Sequence, residues 1–413
     1  MPDTRPRLVV FSTLFPNSEQ PAAGLFIRER MFRVGKHLPL VVVAPQPWFP
    51  FQGLIRLWRP HFRPPLPNKE IQQGIPVYHP KFISIPGLFK SLDGVLLALS
   101  VYPFMKRLRR EFEYDVIDSH FGYPDGFAAT RLGNWLKLPI TITMRGTEVR
   151  HAQDVRLGPL LKKALSAATR IFTVADSLRQ IALGLGVEQD KVTVMANGVD
   201  IEKFTPVDKL QSRAELGLPE DAKVMITVGG LVERKGFHRV LEVMPALLKQ
   251  FPNLYYLIVG GASAEGDWSE RLKTMVKEMK LDDRVRFLGV MPADKLKGPL
   301  SAADLFVLST RNEGWANVLL EAMGCGVPVV ATDVGGNKEV VAKPEVGEIV
   351  PFDDSEALKQ ALILSLNKQW SAEAIIKYAR DNSWETRIGK LVSEFENLSP
   401  EHSLNKQKPV TNE

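Results

Sequence analysis

The stretch Glu313-Gly314-Trp315-Ala316-Asn317-Val318-Leu319-Leu320-Glu321-Ala322-Met323-Gly324-Cys325-Gly326-Val327-Pro328-Val329-Val330-Ala331 decides the fold. The run 305–310 before it reads as a buried strand, and 311–315 as a loop. Residues 316–323 have the spacing of a short helix, which Gly324 and Gly326 stop before Pro328 opens the next strand. Strand, helix and strand in so short a span make one unit of a parallel sheet. Glu313 then sits at a strand's carboxyl end. Backbone amides near Asn317 and Val318 stand free at a helix N-terminus, a ready anion site, and Glu321 lies a turn inside. Either glutamate alone reads as an ordinary surface or capping carboxylate. Two of them flanking an anion site suit the hydroxyls on either side of a sugar nucleotide's diphosphate.

The same alternation runs outward through the chain. Strands are expected at 7–11, 40–44, 116–119, 140–144, 171–174 and 192–195, and again at 224–228, 254–259, 285–288, 305–308, 329–331 and 347–350. Helical spacing fills 160–168, 237–250, 268–279 and 317–323. Strands apolar throughout imply parallel sheets covered on both faces. The fold class is therefore α/β, with two doubly wound Rossmann-like domains facing across a cleft that takes ligands at the strands' carboxyl ends. The series restarts after Pro206, which predicts domains at 1–205 and 206–383. A last helix over 384–398 rejoins the first domain, and a disordered polar tail follows over 399–413.

The chain has 413 residues, 45% hydrophobic and 24% charged, ordinary for a globular protein too long for one core. No apolar run is long enough to span a membrane. The run 8–11 follows Arg5 and Arg7 and ends at once in a polar loop, unlike a secretory signal. One cysteine, Cys325, excludes a disulfide framework, and a cytoplasmic location is expected. The net charge is +6, and residues 46–113 carry that whole surplus, with ten Lys/Arg against four acids. An anionic partner is implied. His61, His79 and His120 have no metal-ligand spacing. The segment 259–262 lacks the dinucleotide fingerprint, and no P-loop is present. Nucleic-acid binding is not expected, because no zinc finger, helix-turn-helix or single-strand-binding signature accompanies the charge.

The block 313–331 resembles the glutamate–seven-residue–glutamate signature of retaining glycosyltransferases of the GT-B fold, in particular glycosyltransferase family 4. The resemblance implies that Glu313 contacts the donor sugar and Glu321 the nucleotide ribose. Other segments match in order. Ala22-Ala23-Gly24-Leu25-Phe26 is similar to the family's glycine loop, which places Gly24 against the donor diphosphate. Asp118-Ser119-His120-Phe121-Gly122-Tyr123-Pro124-Asp125-Gly126 ends a strand, and His120 resembles the family's cleft histidine, offering the sugar a hydrogen bond. Met144-Arg145-Gly146-Thr147-Glu148 borders the acceptor side, where Arg145 would meet a phosphate. Asn197 opens the resembling interdomain segment 197–206, expected to be a hinge. In the second domain, Gly229-Gly230-Leu231-Val232-Glu233-Arg234-Lys235-Gly236 resembles the diphosphate loop. Gly230, Arg234 and Lys235 would hold the leaving group, and Val290 in the loop 289–291 would pair with the nucleobase.

The implied reaction is sugar transfer from a UDP-sugar, or alternatively a GDP-sugar, to a glycan or lipid-linked acceptor hydroxyl with retention. Neither cofactor nor metal is required. Electrostatic preorganisation around the departing diphosphate does most of the work. A noncatalytic sugar-nucleotide-binding subunit and a GT-B epimerase are the alternatives. The resemblance is greatest to enzymes of bacterial cell-envelope and exopolysaccharide synthesis. Residues 46–65 bring Arg56, Arg59 and Arg63 beside Trp48, Phe49, Phe51, Trp58 and Phe62, and 106–110 add a second basic patch. Rings beside cations suit an anionic membrane surface, which makes peripheral attachment to the inner face of the cytoplasmic membrane the hypothesis for these segments.

Overall fold

A computed structural model describes residues 5–21, 23–50, 52–58, 62–85, 87, 89–263 and 265–398. Phe51, Arg59, His61 and the polar tail 399–413 lie outside the described residues. The chain divides into two compact units, one running to Asn197 and resuming at Arg387, the other spanning Gly198–Thr386.

The first unit is built on an eight-stranded sheet in the order Val192–Val194, Arg170–Thr173, Ile140–Met144, Val116–His120, Leu8–Phe11, Leu40–Val43, Ile75–Tyr78, Lys69–Gln72. All neighbours pair in parallel except the last two. The strands Leu8–Phe11, Leu40–Val43, Val116–His120 and Ile140–Met144 are buried along their whole length, because helices cover both faces. The chain winds one way from Leu8–Phe11 and then returns to its other side at Val116–His120. A crevice opens at such a reversal, so the loops after these two strands are where a ligand site is built.

The second unit has six parallel strands in the order Val285–Gly289, Leu254–Val259, Lys223–Val228, Leu305–Leu308, Val329–Thr332, Gly347–Val350. Its reversal lies between Lys223–Val228 and Leu305–Leu308. The loops leaving these strands are the two that carry Arg234-Lys235 and Glu313.

The expected boundary and the strand series both change. The first unit ends at Asn197, not at 205, and the segment after it is no free hinge. Val199 bridges Ser383, Trp384 N–H donates to the Val199 carbonyl at 3.1 Å, and Phe204 is buried in the second unit's core. Those contacts fix 198–205 to the second unit. The last helix, Trp384–Asn397, buries Trp384, Ile388, Leu391 and Phe395 at helical spacing, and from Arg387 it belongs to the first unit. There Phe395 meets Phe172 edge-on at 5.9 Å and Glu394 pairs with Arg170 at 3.1 Å. Within 46–83, where no strand was expected, there are further strands. Gln46–Trp48 pairs in parallel with Lys81–Ile83, a four-residue helix Gln52–Ile55 follows, and Lys69–Gln72 turns back on Ile75–Tyr78 through Gln73 and Gly74, both at positive φ. Such a turn lets two strands pair antiparallel without splaying.

Candidate functional site

In the second unit the loop after Lys223–Val228 makes a single tight turn over Glu233–Lys235 before the helix Phe237–Gln250 begins. Gly236 closes that turn at φ 78°, and a Cβ there would lie 1.9 Å from the Ser309 carbonyl oxygen. Only glycine allows the turn to press against the neighbouring strand end. Contact is sealed by Ser309 Oγ donating to the Gly236 carbonyl at 2.7 Å and by Arg311 N–H donating to the Arg234 carbonyl at 2.8 Å. The two loops therefore hold each other, and their charges meet. Lys235 Nζ lies 2.6 Å and Arg234 Nη1 3.1 Å from one Glu313 oxygen, to which Thr310 Oγ1 also donates at 3.3 Å. Arg234 further donates two bonds, of 2.8 and 2.7 Å, to Glu265, and these hold its pKa above the ordinary arginine value. Behind Glu313, Gly335 sits at φ 53°, where a Cβ would fall 1.7 Å from the Glu313 carbonyl oxygen.

Asn317 begins the helix Asn317–Gly324. Ala316 precedes it without a side-chain cap, and Leu319 N–H donates to the Ala316 carbonyl at 3.1 Å. Val318 and Glu321 stand half-buried on that helix, and buried Cys325 follows it, its thiol pushed up to about 12 by desolvation. Gly230 and Val290 close the group from the other side. Ser263 packs beside Gly230 and Val290 beside Gly261, while Gly260 N–H donates to the Gly289 carbonyl at 2.8 Å. Thus Gly230, Arg234, Lys235, Val290, Glu313, Asn317, Val318 and Glu321 all leave the carboxyl ends of adjacent strands or begin the next helix. Sequence reasoning missed Glu265, Thr310 and Gly335. It also set aside the segment 259–262, which contributes its backbone here though it lacks a dinucleotide fingerprint.

In the first unit Gly24, at φ 66°, caps the helix Leu25–Val34. Phe26 two residues on lies under the Arg145 guanidinium at 5.0 Å. Arg145 Nε donates to His120 Nδ1 at 3.1 Å, and Nη1 to Asn197 Oδ1 at 3.3 Å. The structure thereby joins Gly24's loop, His120, Arg145 and Asn197. The surroundings differ from the open strand end that the Gly/Pro loop implies. His120 is 0% exposed, and burial lowers its pKa to about 4, so it stays neutral at neutral pH. Because Nδ1 accepts from Arg145, the ring proton lies on Nε2, 3.3 Å from Asp118 Oδ2. Residues 121–126 do not open outward either. Phe121 and Tyr123 are buried, Gly122 N–H donates to Glu148 Oε1 at 2.8 Å, and Asp125 takes Thr13 N–H and Oγ1, each at 3.0 Å.

Arg145 is no surface ion pair. It is buried, and desolvation holds its pKa well below the ordinary arginine value. Arg30, equally buried, is lowered to about 10 by the same cause. Arg145 Nη2 and Arg30 Nη1 are buried without a hydrogen-bond partner. Polar atoms so placed call for water or a ligand.

The profile of the Glycosyl transferases group 1 matches residues 208–382, and that of Glycosyltransferase Family 4 matches residues 55–203. The chain is 27% identical over 390 residues to the putative teichuronic acid biosynthesis glycosyltransferase TuaC of Bacillus subtilis, covering 92% of this chain and 91% of that one. It is 33% identical over 305 residues to the D-inositol 3-phosphate glycosyltransferase of Corynebacterium urealyticum, covering 69% and 72%. Anabaena HepE, solved in complex with UDP, superposes with a TM-score of 0.71 at 19% identity, covering 94% and 98%, and the same protein is also solved with UDP-glucose. With both units matched by profiles and a relative shared at one residue in three, the chain belongs to the group 1, family 4 glycosyltransferases, which move a sugar from a nucleotide sugar and share the GT-B fold.

Proposed function

We propose that this chain is a retaining transferase that takes a sugar from UDP and attaches it to an acceptor hydroxyl in cell-envelope polysaccharide synthesis. The observation that carries it is the meeting of Arg234 and Lys235 on Glu313 beside the uncapped helix at Asn317. Two cations converge where a diphosphate would leave, and the carboxylate that they share stands where a sugar's hydroxyls would sit. Cations preset in this way stabilise the charge that develops as the glycosidic bond breaks, with no reorganisation at that moment. They balance the diphosphate without a metal. Glu321 would receive the ribose and the 289–291 loop, with Val290, the base. UDP is favoured over GDP because the HepE structures hold UDP and UDP-glucose. The envelope role is favoured by the likeness to TuaC along nearly the whole chain.

In the first unit, His120 would orient Arg145, and Arg145, with Asn197 and the Gly24 loop, would serve the acceptor side. The acceptor is read as lipid-linked and the protein as a peripheral protein of the cytoplasmic membrane's inner face. Support comes from exposed Trp58 and its apolar neighbours beside Arg56 and Arg63. No helix among the described residues is long and apolar enough to cross a membrane.

A panel of UDP-, GDP- and ADP-sugars tests the donor. Ligand at a hundred times its Kd stabilises the native state by about 2.7 kcal/mol, so a UDP-sugar should raise Tm by several degrees. Arg234→Ala with Lys235→Ala should abolish the shift. No shift with any member of the panel would overturn the donor assignment.

A further inference from the structure

Away from both strand-end sites, the first unit has a recess of about 230 Å³ beside the Gln46–Trp48/Lys81–Ile83 ladder. At about 30 Å³ per water, it has room for a phosphate and its ester oxygens. Gln46, Gln52, Arg56, Arg63, His79 and Lys81 supply its polar lining. Among the described residues none of Arg56, Arg63 and Lys81 has a carboxylate partner. Arg56 gives its donors to the Phe62 and Arg63 carbonyls at 3.2 and 2.8 Å, and Arg63 one to the Ser84 carbonyl at 2.8 Å. Arg63 is also held over the Phe49 and Phe62 rings at 5.8 and 5.4 Å, with a backbone φ of 43° that a non-glycine residue seldom adopts. The guanidinium is thus fixed in place and partly desolvated, and the acid that acts on it, Asp93, is already paired with Lys90 Nζ at 3.0 Å, so an anion in the recess would stabilise it. His79 is held by Nδ1 against the Ala44 carbonyl at 3.3 Å, and its Nε2 lies 3.6 Å from a Glu70 carboxylate oxygen.

Apolar surface surrounds this charge. Trp48 and Ile83 are register partners on the ladder's outer face, the face of Gln46 and Lys81, and both are exposed. The segment that contributes Gln52 and Arg56 also carries Leu54, Leu57 and Trp58, which are 56, 74 and 80% exposed. Ten of the sixteen exposed large apolar side chains among the described residues lie between Trp48 and Leu99. A soluble anion would have no use for such a rim. We propose that this recess binds the phosphate of one lipid molecule, whose hydrocarbon part lies along Leu54, Leu57 and Trp58. The basic patch at 106–110 is a separate contact, since Arg107 is about 20 Å along the helix Asp93–Glu111 from its first residue.

The proposal extends the membrane reading and does not depend on the donor site. Calorimetric titration of the full chain with dihexanoyl-phosphatidic acid, below its micelle concentration, tests it against glycerol 3-phosphate and dihexanoylglycerol. The lipid phosphate should bind at least tenfold more tightly than either half. Lys81→Met, at an exposed position that folding tolerates, should weaken it at least about fivefold, as should Arg56→Gln. Trp58→Ser should weaken it while leaving glycerol 3-phosphate unchanged. Equal binding of glycerol 3-phosphate and the lipid would overturn the proposal, as would wild-type lipid binding by both Lys81→Met and Trp58→Ser. UDP binding measured on the same samples reports the donor site separately.

Discussion

At Glu313 one carboxylate oxygen accepts from Arg234, Lys235 and Thr310 together. Removing its charge while keeping its shape leaves Lys235 without its carboxylate and Arg234 with Glu265 alone, and takes away the acceptor proposed for the sugar. Glu313→Gln should lower turnover at least about tenfold, equivalent to about 1.4 kcal/mol of transition-state stabilisation, with little change in Tm. Steady-state kinetics checks this, and near-normal turnover would exclude Glu313 from the chemistry. Asp125 offers a pH test in the other unit. Burial raises its carboxyl from 3.8 to about 7, so between those values the native state holds a proton that the unfolded chain has released. Its contribution to stability is full below about pH 4 and declines as pH rises towards 7. His120 runs the opposite way, because its lowered pKa makes the native state lose stability as pH falls from 6.5 to about 4. Asp125→Asn removes only the first effect and keeps an acceptor for Thr13 N–H. The Tm difference, mutant minus wild type, should therefore rise from pH 5 to pH 7.5. A difference independent of pH would mean that Asp125 is ionised throughout that range.

At the scale of elements, the donor site depends on loops wedged against one another. The turn after Val329–Thr332 brings Gly335 so close to the Glu313 carbonyl that no side chain can stand between them. Gly335→Ala should shift the backbone carrying Glu313 and lower turnover by about tenfold or more. Gly298, in the helix Lys297–Ala302 with open space about it, is the control, and Gly298→Ala should leave turnover unchanged. Equal kinetics for the two variants would show that the Glu313 loop is not positioned by this wedge.

For the whole molecule, both sheets reverse their winding where the site residues emerge: between Leu8–Phe11 and Val116–His120 in one unit, and between Lys223–Val228 and Leu305–Leu308 in the other. In the proposed retaining reaction the acceptor attacks the face that the diphosphate leaves, so an α-linked donor should give an α-linked product. The anomeric proton coupling in the product's NMR spectrum decides it, and a β linkage would exclude retention.

The sequence alone determined the strands outside 46–83 and the doubly wound class. Fully buried parallel strands must be apolar at every position, and glycines at strand ends mark backbone turns that other residues resist. It also showed which cations and carboxylates leave neighbouring strands, because in a parallel sheet those ends all lie on one edge. Tertiary structure decided what depends on contacts between distant segments. Glu265 reaches Arg234 and Gly335 abuts Glu313 through side-by-side loops that no spacing rule connects. His120 and Arg145 look like exposed polar residues in a linear reading, and they are buried because residues 121–126 fold inward over Thr13 and Glu148. The unit boundary moved to Asn197 because Val199 and Phe204 gain more from the second unit's core than a linker could offer. Burial is a property of the assembled chain, and charge in sequence does not reveal which cations will be left without a counter-charge.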